Sequence, residues 1–196
     1  GYNPPDCAMP TATPKIKSVV TSLGDGPLVQ PNTGTVTLHS VGLASVPNPA
    51  YQGPLDPNNE PKTITRNYGF GGTTGTVTLD GVSLTVVSWS DNQIVFNAPA
   101  SETVGQLMVT RGDNGVTTEN GITLTVASGA NIIRVPANQP TIQTAVDAAA
   151  PGDIVMVSPG VYNERVIMSK PVRLQGSGSG ATILNGALLD TGGLVG

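Results

Sequence analysis

The sequence predicts an all-β protein made of many short strands, and three observations lead to this prediction. Glycine and proline are abundant, with 25 and 17 residues, while 11% of the residues are charged and 4% are aromatic. Gly and Pro are the two least favourable residues in a helix, and the Val and Thr residues that recur along the chain favour strands. Apolar and polar residues alternate in short runs such as Val36-Thr37-Leu38, and turn sequences such as Asp80-Gly81 separate the runs.

Closely spaced alternating runs are typical of a β-sandwich, which we assign to residues 15–128. Residues 1–14 are rich in proline and have no hydrophobic period, so we interpret them as a linker or as the tail of a preceding domain. Residues 44–61 are also rich in proline, which predicts a long surface insertion between two strands. The predicted strands cover residues 16–21, 35–39, 62–66, 75–79, 83–89, 93–96, 105–110 and 122–126.

Several short motifs follow one another within this region. They are Gly69-Phe70-Gly71, a Gly-Thr-Val-Thr strand at 75–78, Asp80-Gly81, the stretch Ser88-Trp89-Ser90-Asp91-Asn92-Gln93-Ile94, and Ala98-Pro99. On these motifs, residues 63–126 resemble the IPT/TIG immunoglobulin-like domain, and residues 16–23 are similar to its first strand. The resemblance implies an immunoglobulin-like β-sandwich, in which Trp89 can fill the gap between the sheets and residues 90–92 turn the chain. Residues 24–61 depart from the compact pattern of the family.

A different periodicity begins after residue 130. Ile142, Ala145, Val146 and Ala149 recur at helical spacing, which predicts one amphipathic helix within residues 140–150. Pro151-Gly152 ends this helix. Strands are predicted after it at residues 154–157, 166–168, 172–175 and 182–184.

Residues 141–186, with the sequence TIQTAVDAAAPGDIVMVSPGVYNERVIMSKPVRLQGSGSGATILNG, resemble the start of the pectin-lyase-like right-handed parallel β-helix. The resemblance implies that a helix (141–150) caps the open first coil and that the motif at 160–164 leads into stacked strands. We assign residues 129–196 to this start of a β-helix. Stacked repeats generally need about three units to bury their apolar faces. We therefore expect the chain to belong to a larger protein, or its last coil to be covered by another molecule.

Few residues have the chemistry of a catalytic or metal site. His39 is the only histidine, and it lies on the strand face opposite Val36 and Leu38, so we expect a solvated strand residue. Cys7 is the only cysteine, so it cannot form an internal disulfide, and we interpret it as a thiol paired with, or close to, sequence upstream. One Cys and one His exclude the usual zinc-ligand spacings.

The acidic residues that follow the predicted helix are Asp153, Glu164 and Asp190. Glu164 belongs to the coil-forming motif of the family that residues 141–186 resemble, which implies a structural role. Pectate lyases place their calcium-binding acids and their catalytic Arg or Lys on later coils, and nothing in residues 154–196 matches those positions. We therefore assign no catalytic, cofactor-binding or metal-binding residue.

Three further patterns have an ordinary structural interpretation. Asp56, Asn58 and Glu60 alternate and could offer oxygens to Ca²⁺, but they lack the fuller ligand spacing of a calcium loop. Arg111-Gly112-Asp113 spells an integrin-recognition tripeptide, although the turn residues that follow Gly112 explain the same sequence. The glycine runs at 69–72 and 176–180 lack the Lys-Ser/Thr ending of a phosphate loop, and we predict that they form turns.

Charge and hydrophobicity limit the partners of the chain. Nine Lys and Arg residues against thirteen Asp and Glu residues give a net charge of −4. The basic residues form no cluster, which argues against nucleic acid as a partner. The sequence also lacks an apolar run of about 18 residues, the length that would predict a membrane span. Low charge together with abundant Thr, Asn and Gly is typical of exported bacterial proteins, so we expect an extracellular or cell-surface location.

The sequence as a whole favours a non-catalytic role in a larger secreted or surface-exposed bacterial multidomain protein. The chain would then be a structural segment, or one for glycan binding or assembly, and we expect no cofactor. The expected partners are a polysaccharide and another molecule that associates, or adds a strand, at the open end of the β-helix. The alternative is the N-terminal part of a polysaccharide lyase or hydrolase whose active groove lies on coils beyond residue 196.

Overall fold

The computed structural model describes residues 12–55, 58–128 and 131–186. These residues are mostly in β-sheets, none of which closes on itself, and they include one short helix, α1 (Ile142–Ala148). The predicted all-β class is confirmed. The strands are β1 (Ile16–Thr21), β2 (Gly24–Asp25), β3 (Leu28–Val29), β4 (Thr35–Ser40), β5 (Gly42–Pro47), β6 (Thr63–Tyr68), β7 (Thr76–Leu79), β8 (Val82–Ser83), β9 (Val86–Trp89), β10 (Gln93–Asn97), β11 (Thr103–Thr110), β12 (Ile122–Val126), β13 (Ile132–Val135), β14 (Ile154–Val157), β15 (Gly160–Tyr162), β16 (Arg173–Gly176) and β17 (Thr182–Leu184).

Two five-stranded sheets form the larger part of the fold. The first has the strand order β2-β1-β4-β10-β9, and the second has the order β3-β12-β11-β7-β8. Neighbouring strands are antiparallel, except that β3 and β12 are parallel. Val36 and Leu38 of β4 pair with Phe96 and Ile94 of β10. Their side chains therefore lie side by side on one face of the first sheet.

A single apolar core joins the two sheets. Strands β4, β7, β10, β11 and β12 contribute alternate residues to it, because side chains at positions i and i+2 of a strand share a face. The rings of Phe70 and Trp89 meet edge to face at this core, with centroids 6.4 Å apart, a favourable arrangement of aromatic pairs. The largest fully buried members of the core are Phe70, Phe96, Ile16, Leu38, Ile94, Leu107 and Leu124.

Two loops interlock beside these aromatic rings. The backbone N–H of Phe70 donates to the Asp91 carbonyl at 2.8 Å, and the N–H of Gly71 donates to Asp91 Oδ1 at 2.9 Å. The indole N–H of Trp89 donates to the Gly71 carbonyl at 2.9 Å. A Cβ at Gly69 would lie 2.2 Å from Asp91 Oδ1, so a side chain there would displace the carboxylate that binds Gly71. The predicted turns at 69–72 and 90–92 therefore hold the two aromatic rings in place.

The C-terminal part of the described chain stacks parallel strands. Strands β13, β14 and β16 form a three-stranded parallel sheet, and β15 and β17 form a two-stranded one. Ile154 pairs with Arg173, and Gly160 pairs with Thr182. The segment from β14 to β15 therefore lies alongside the segment from β16 to β17. Helix α1 covers one face of the three-stranded sheet, and a second core there contains Val135, Ile142, Ala145, Val146, Ala149, Val155 and Val157.

The structure corrects several predicted elements. Residues 166–168, predicted as a strand, have no regular structure. The start of the predicted insertion at 44–61 belongs to strand β5, which pairs with β6 from Gly42 opposite Tyr68 to Pro47 opposite Thr63. The predicted strand at 83–89 is interrupted between β8 and β9, and β2, β3, β13 and β15 have no counterpart among the predicted strands. The other predicted elements agree to within about two residues at each end.

Candidate functional site

The three-stranded parallel sheet has a different neighbour on each face. Val155 and Val157 of β14 belong to the core with helix α1, whereas Ile154 and Met156 form a third apolar cluster with Leu28 of β3. All four residues of β14 are buried. A strand that is apolar at every position is the expected pattern where both faces of a parallel sheet are covered. Strand β14 therefore joins the parallel strands to the two five-stranded sheets.

Polar side chains extend this joint on the same face as Ile154 and Met156. Gln175 Nε2 donates to the Thr123 carbonyl at 2.7 Å, and Arg173 Nη1 donates to the Thr125 hydroxyl at 2.9 Å. On the other edge of the sheet, Arg134 donates to the carbonyls of Leu23 and Asp25. Each of these bonds runs from a parallel strand to a strand or turn of the antiparallel sheets. The sequence did not predict that Arg134, Arg173 and Gln175 connect the two parts of the fold. The one signal in the sequence is that these polar residues interrupt apolar runs.

The backbones at this joint approach so closely that two glycines are required. Gly26 has a φ of +106°, and a Cβ there would lie 2.2 Å from Met156 Sδ. Gly178 has a φ of +145°, and a Cβ there would lie 2.3 Å from the Lys17 carbonyl oxygen. Both angles favour glycine. Next to Gly178, the Val19 N–H donates to the Ser177 carbonyl at 3.0 Å, so strand β1 is hydrogen-bonded directly to the chain that follows β16.

Both ends of helix α1 are held by side chains. Glu164 Oε1 and Oε2 each accept a hydrogen bond of 3.0 Å, from the N–H groups of Ile142 and Gln143 respectively. The next N–H, of Thr144, donates to the Thr141 hydroxyl at 3.1 Å. At the other end, Lys170 Nζ donates to backbone carbonyls of the last helical turn and its cap. A seven-residue helix is marginal alone, and an acid at its N-terminus and a cation at its C-terminus stabilise it.

The segment between β15 and β16 has no strand because its polar groups bind the helix. The backbone N–H of Ile167 donates to Gln143 Oε1 at 2.7 Å, and Gln143 Nε2 donates back to the Ile167 carbonyl at 3.3 Å. These bonds replace the ladder bonds that a strand at 166–168 would need. The short apolar run Val166-Ile167-Met168 is therefore not enough to form a strand, because Gln143 of the helix binds the backbone of Ile167.

The last described strands leave an edge of the parallel stack exposed. Among the described residues, β16 pairs only with β14, and β17 pairs only with β15. Ile183 and Leu184 of β17 are 49% and 45% exposed, and Val161 of β15 is 62% exposed. An edge strand with apolar side chains and unused backbone donors is a template for pairing with a further strand. This edge is the feature of the chain best suited to recognition of another β-structure.

The candidate residues named from the sequence are separated in the structure. Asp153 is buried and accepts hydrogen bonds from the Ala150 N–H at 2.7 Å and from Asn131 Nδ2 at 2.9 Å. Glu164 holds the helix, as its predicted structural role requires. His39 is half-buried on β4, opposite Ser18 and Gln93 in the neighbouring strands. Cys7, Asp56 and Asp190 lie outside the described residues.

The Arg111-Gly112-Asp113 tripeptide is built into the fold. The Arg111 side chain is 5% exposed; its Nε and Nη2 donate to Asp113 at 2.8 and 2.6 Å, and its Nη1 donates to the Gly69 carbonyl at 2.6 Å. The hydrogen bonds from Arg111 hold the pKa of the Asp113 carboxyl below its usual range. The same hydrogen bond to Asp113 raises the pKa of Arg111. A buried guanidinium cannot present itself to another protein, so the tripeptide is a structural ion pair.

Within residues 12–55, 58–128 and 131–186, no group of three or more His, Cys, Asp or Glu side chains could hold a metal ion. In the segment that we considered for Ca²⁺, Glu60 Oε2 accepts a hydrogen bond from Asn48 Nδ2 at 3.1 Å. No helix in the described part of the chain is long and apolar enough to cross a membrane.

Comparison with known proteins assigns no family to the chain. No protein-family model matches the sequence, and no curated protein sequence is significantly similar to it. The interpretation of the chain therefore depends on its own residues and their contacts.

The contact of Glu164 with helix α1 makes a prediction about stability. Replacing Glu164 by Ala removes the acceptor of two N–H groups and the negative charge at the helix N-terminus. We expect the free energy of unfolding to fall by about 1–2 kcal/mol, measured by urea denaturation. Arg165→Ala, an exposed neighbour, is the matched control and should change it by less than about 0.5 kcal/mol. Equal losses in the two variants would contradict the capping role.

The pair of Arg111 and Asp113 makes a prediction about acid stability. Because folding lowers the pKa of Asp113, the pair stabilises the folded protein above the ordinary aspartate pKa of about 3.9 and loses this effect as the pH falls through the lowered value. We expect the urea midpoint of the wild-type chain to fall more steeply below about pH 4 than that of Asp113→Asn.

Asp25→Asn is the control for this measurement, since Asp25 is exposed and forms no ion pair within the described residues. It should retain the steep acid dependence of the wild-type chain. Parallel pH profiles for the wild-type chain and Asp113→Asn would show that the ion pair does not contribute to stability.

Proposed function

We propose that the chain is a non-catalytic structural and assembly segment of a larger secreted or surface-exposed bacterial protein. In this proposal an IPT/TIG-like immunoglobulin β-sandwich (15–128) carries the helix-capped first coils of a right-handed parallel β-helix (129–196). The two five-stranded sheets that share one core support the sandwich. The pairings of Ile154 with Arg173 and of Gly160 with Thr182, beneath helix α1, support the coils. The low charge of the chain supports the location.

The contacts of three charged side chains support a structural role. Glu164 binds the helix N-terminus, Asp153 binds Ala150 and Asn131, and Arg111 binds Asp113 and Gly69. A general acid or base must reach the proton that it transfers, whereas these groups are engaged with the backbone or with one another. None of these three groups is therefore free to act as the general acid or base of a lyase or hydrolase.

The exposed edge of β16 and β17 is the observation that carries the assembly role. Parallel coils add strands by backbone hydrogen bonding and bury apolar side chains against the next coil. The exposed Ile183 and Leu184 side chains would be covered in such a stack. In the isolated chain, the partner that we propose for this edge is the same edge of a second copy.

The assembly role predicts that the chain self-associates through β17. We expect sedimentation equilibrium to detect a dimer or larger species at concentrations of about 10–100 μM, typical of weak edge contacts. The double variant Ile183→Lys and Leu184→Lys should weaken this association by about tenfold or more, because charged residues on an edge oppose strand addition.

Val87→Lys and Val82→Lys, together in a second double variant, are the matched control. Both residues are exposed and apolar on short edge strands of the antiparallel sheets, β9 and β8. The control should associate as the wild-type chain does. A wild-type chain that remains monomeric, or a control as defective as the β17 variant, would contradict assembly through this edge. Release of unsaturated or reducing-end products from pectic or uronate polymers would contradict the non-catalytic role.

A further inference from the structure

Two adjoining cavities lie on the side of the antiparallel sheets where β6 meets residues 13–16. Their volumes are about 350 and about 360 Å³, and both are lined by Thr13, Tyr68 and Glu119. Lys15 and Asn120 line the first, and Arg66 lines the second. Because the cavities share three lining residues, they form one groove with the Tyr68 ring at its middle.

Strand pairing keeps the groove open. Arg66 and Tyr68 are two residues apart on β6, so their side chains point to the same face. The residues opposite them on β5 are Ala44 and Gly42, which have too little side chain to cover an arginine or a tyrosine. Residues 13–15 are held against the end of β6 by two hydrogen bonds of 3.1 Å, from Thr13 N to the Asn67 carbonyl and from Lys15 N to the Tyr68 carbonyl. The small residues on β5 therefore leave the groove open, and the backbone bonds hold residues 13–15 at its side.

The groove carries two cations, Lys15 and Arg66, and one acid, Glu119, and neither cation forms an ion pair with a described carboxylate. Lys15 Nζ lies 5.8 Å from the centroid of the Tyr68 ring, a cation–π contact that places the ammonium group beside the ring. Within the described residues, ion pairs are formed only by Arg111, so Lys15 and Arg66 have no carboxylate partner there. The chain as a whole has a net charge of −4. The charged side chains of the groove, Lys15 and Arg66 against Glu119, therefore leave one positive charge in excess, whereas the chain as a whole is negative.

The same groove also offers acceptors for hydroxyl groups. Glu119 is exposed and lines both cavities, and Asn120 lies next to it. A ligand that suits all these groups has a flat apolar face for the Tyr68 ring, a carboxylate for Lys15 and Arg66, and hydroxyls for Glu119 and Asn120. Arg in particular binds carboxylates through two parallel hydrogen bonds. A simple anion lacks the apolar face and the hydroxyls, and a neutral sugar leaves the cations unpaired.

We infer that this groove is a binding site for acidic carbohydrate, with a uronic acid residue of a polysaccharide on the Tyr68 ring and its carboxylate between Lys15 and Arg66. No residue of β17 lines the groove, although Ser179, in the turn before β17, lines the first cavity. The site is independent of the assembly role proposed above, so either can fail without the other.

Isothermal titration calorimetry on the full chain tests the inference. The probes are hexasaccharides of galacturonate, glucuronate and mannuronate, with the neutral glucose hexasaccharide cellohexaose as the comparison. We expect at least one uronate oligomer to bind at least tenfold more tightly than the neutral oligomer. Arg66→Gln should weaken that binding by about tenfold, because it removes a charge-assisted bidentate contact.

Lys62→Gln is the matched control, since Lys62 is an exposed cation just before β6 that does not line the groove. It changes the net charge as Arg66→Gln does and should alter the affinity by less than about twofold at 0.15 M salt, where exposed charges are screened. Amide shifts in an NMR titration should be centred on Tyr68, Arg66 and Glu119.

Three results would overturn the inference. They are no binding of any uronate oligomer at millimolar concentration, equal affinity for the acidic and neutral oligomers, and equal losses in Arg66→Gln and Lys62→Gln. The last result would mean that the chain attracts anions through its general charge, without a defined site. Thermal unfolding of each variant confirms that a loss of binding is not a loss of fold.

Discussion

The burial of strand β14 on both faces is the constraint on which the rest of the structure depends. Val155 and Val157 pack under helix α1, while Ile154 and Met156 pack against the antiparallel sheets. Burying each such side chain contributes about 1.5–3 kcal/mol relative to its exposure. Neither face could be left open without losing half of that gain. The helix, the parallel strands and the antiparallel sheets therefore stabilise one another through a single four-residue strand.

Polar residues convert this apolar contact into a defined orientation. The bonds of Arg134 to residues 23 and 25, and those of Arg173 and Gln175 to β12, lie on either side of the buried strand. Apolar burial is not directional, whereas hydrogen bonds require particular distances and angles. The joint consequently sets the direction in which the parallel strands leave the antiparallel sheets. That direction determines where the exposed β17 edge and the Tyr68 groove lie relative to each other.

The sequence predicts best the features that depend on local pattern. Alternation located β1 and β4, an unbroken apolar run located β14, and helical spacing with Pro151-Gly152 located α1. It failed where a long-range partner decides the structure. Residues 166–168 are an apolar run like that of a strand, but the backbone of Ile167 bonds to Gln143. Residues 42–47 pair with β6 although they include Pro47. The groove also escaped prediction, because its lining residues come from five segments of the chain that only the fold brings together.

Native-state hydrogen exchange tests most directly whether β14 couples the two parts of the fold. The exchange of amides in β14 and in β4 is followed at increasing concentrations of urea below the unfolding transition. If β14 is the shared support of both parts, the slowest amides of both strands should exchange with the same free energy and the same urea dependence, that of global unfolding. Exchange of the β14 amides at a markedly lower free energy than the β4 amides would contradict this, since the parallel strands would then open while the antiparallel sheets stayed folded.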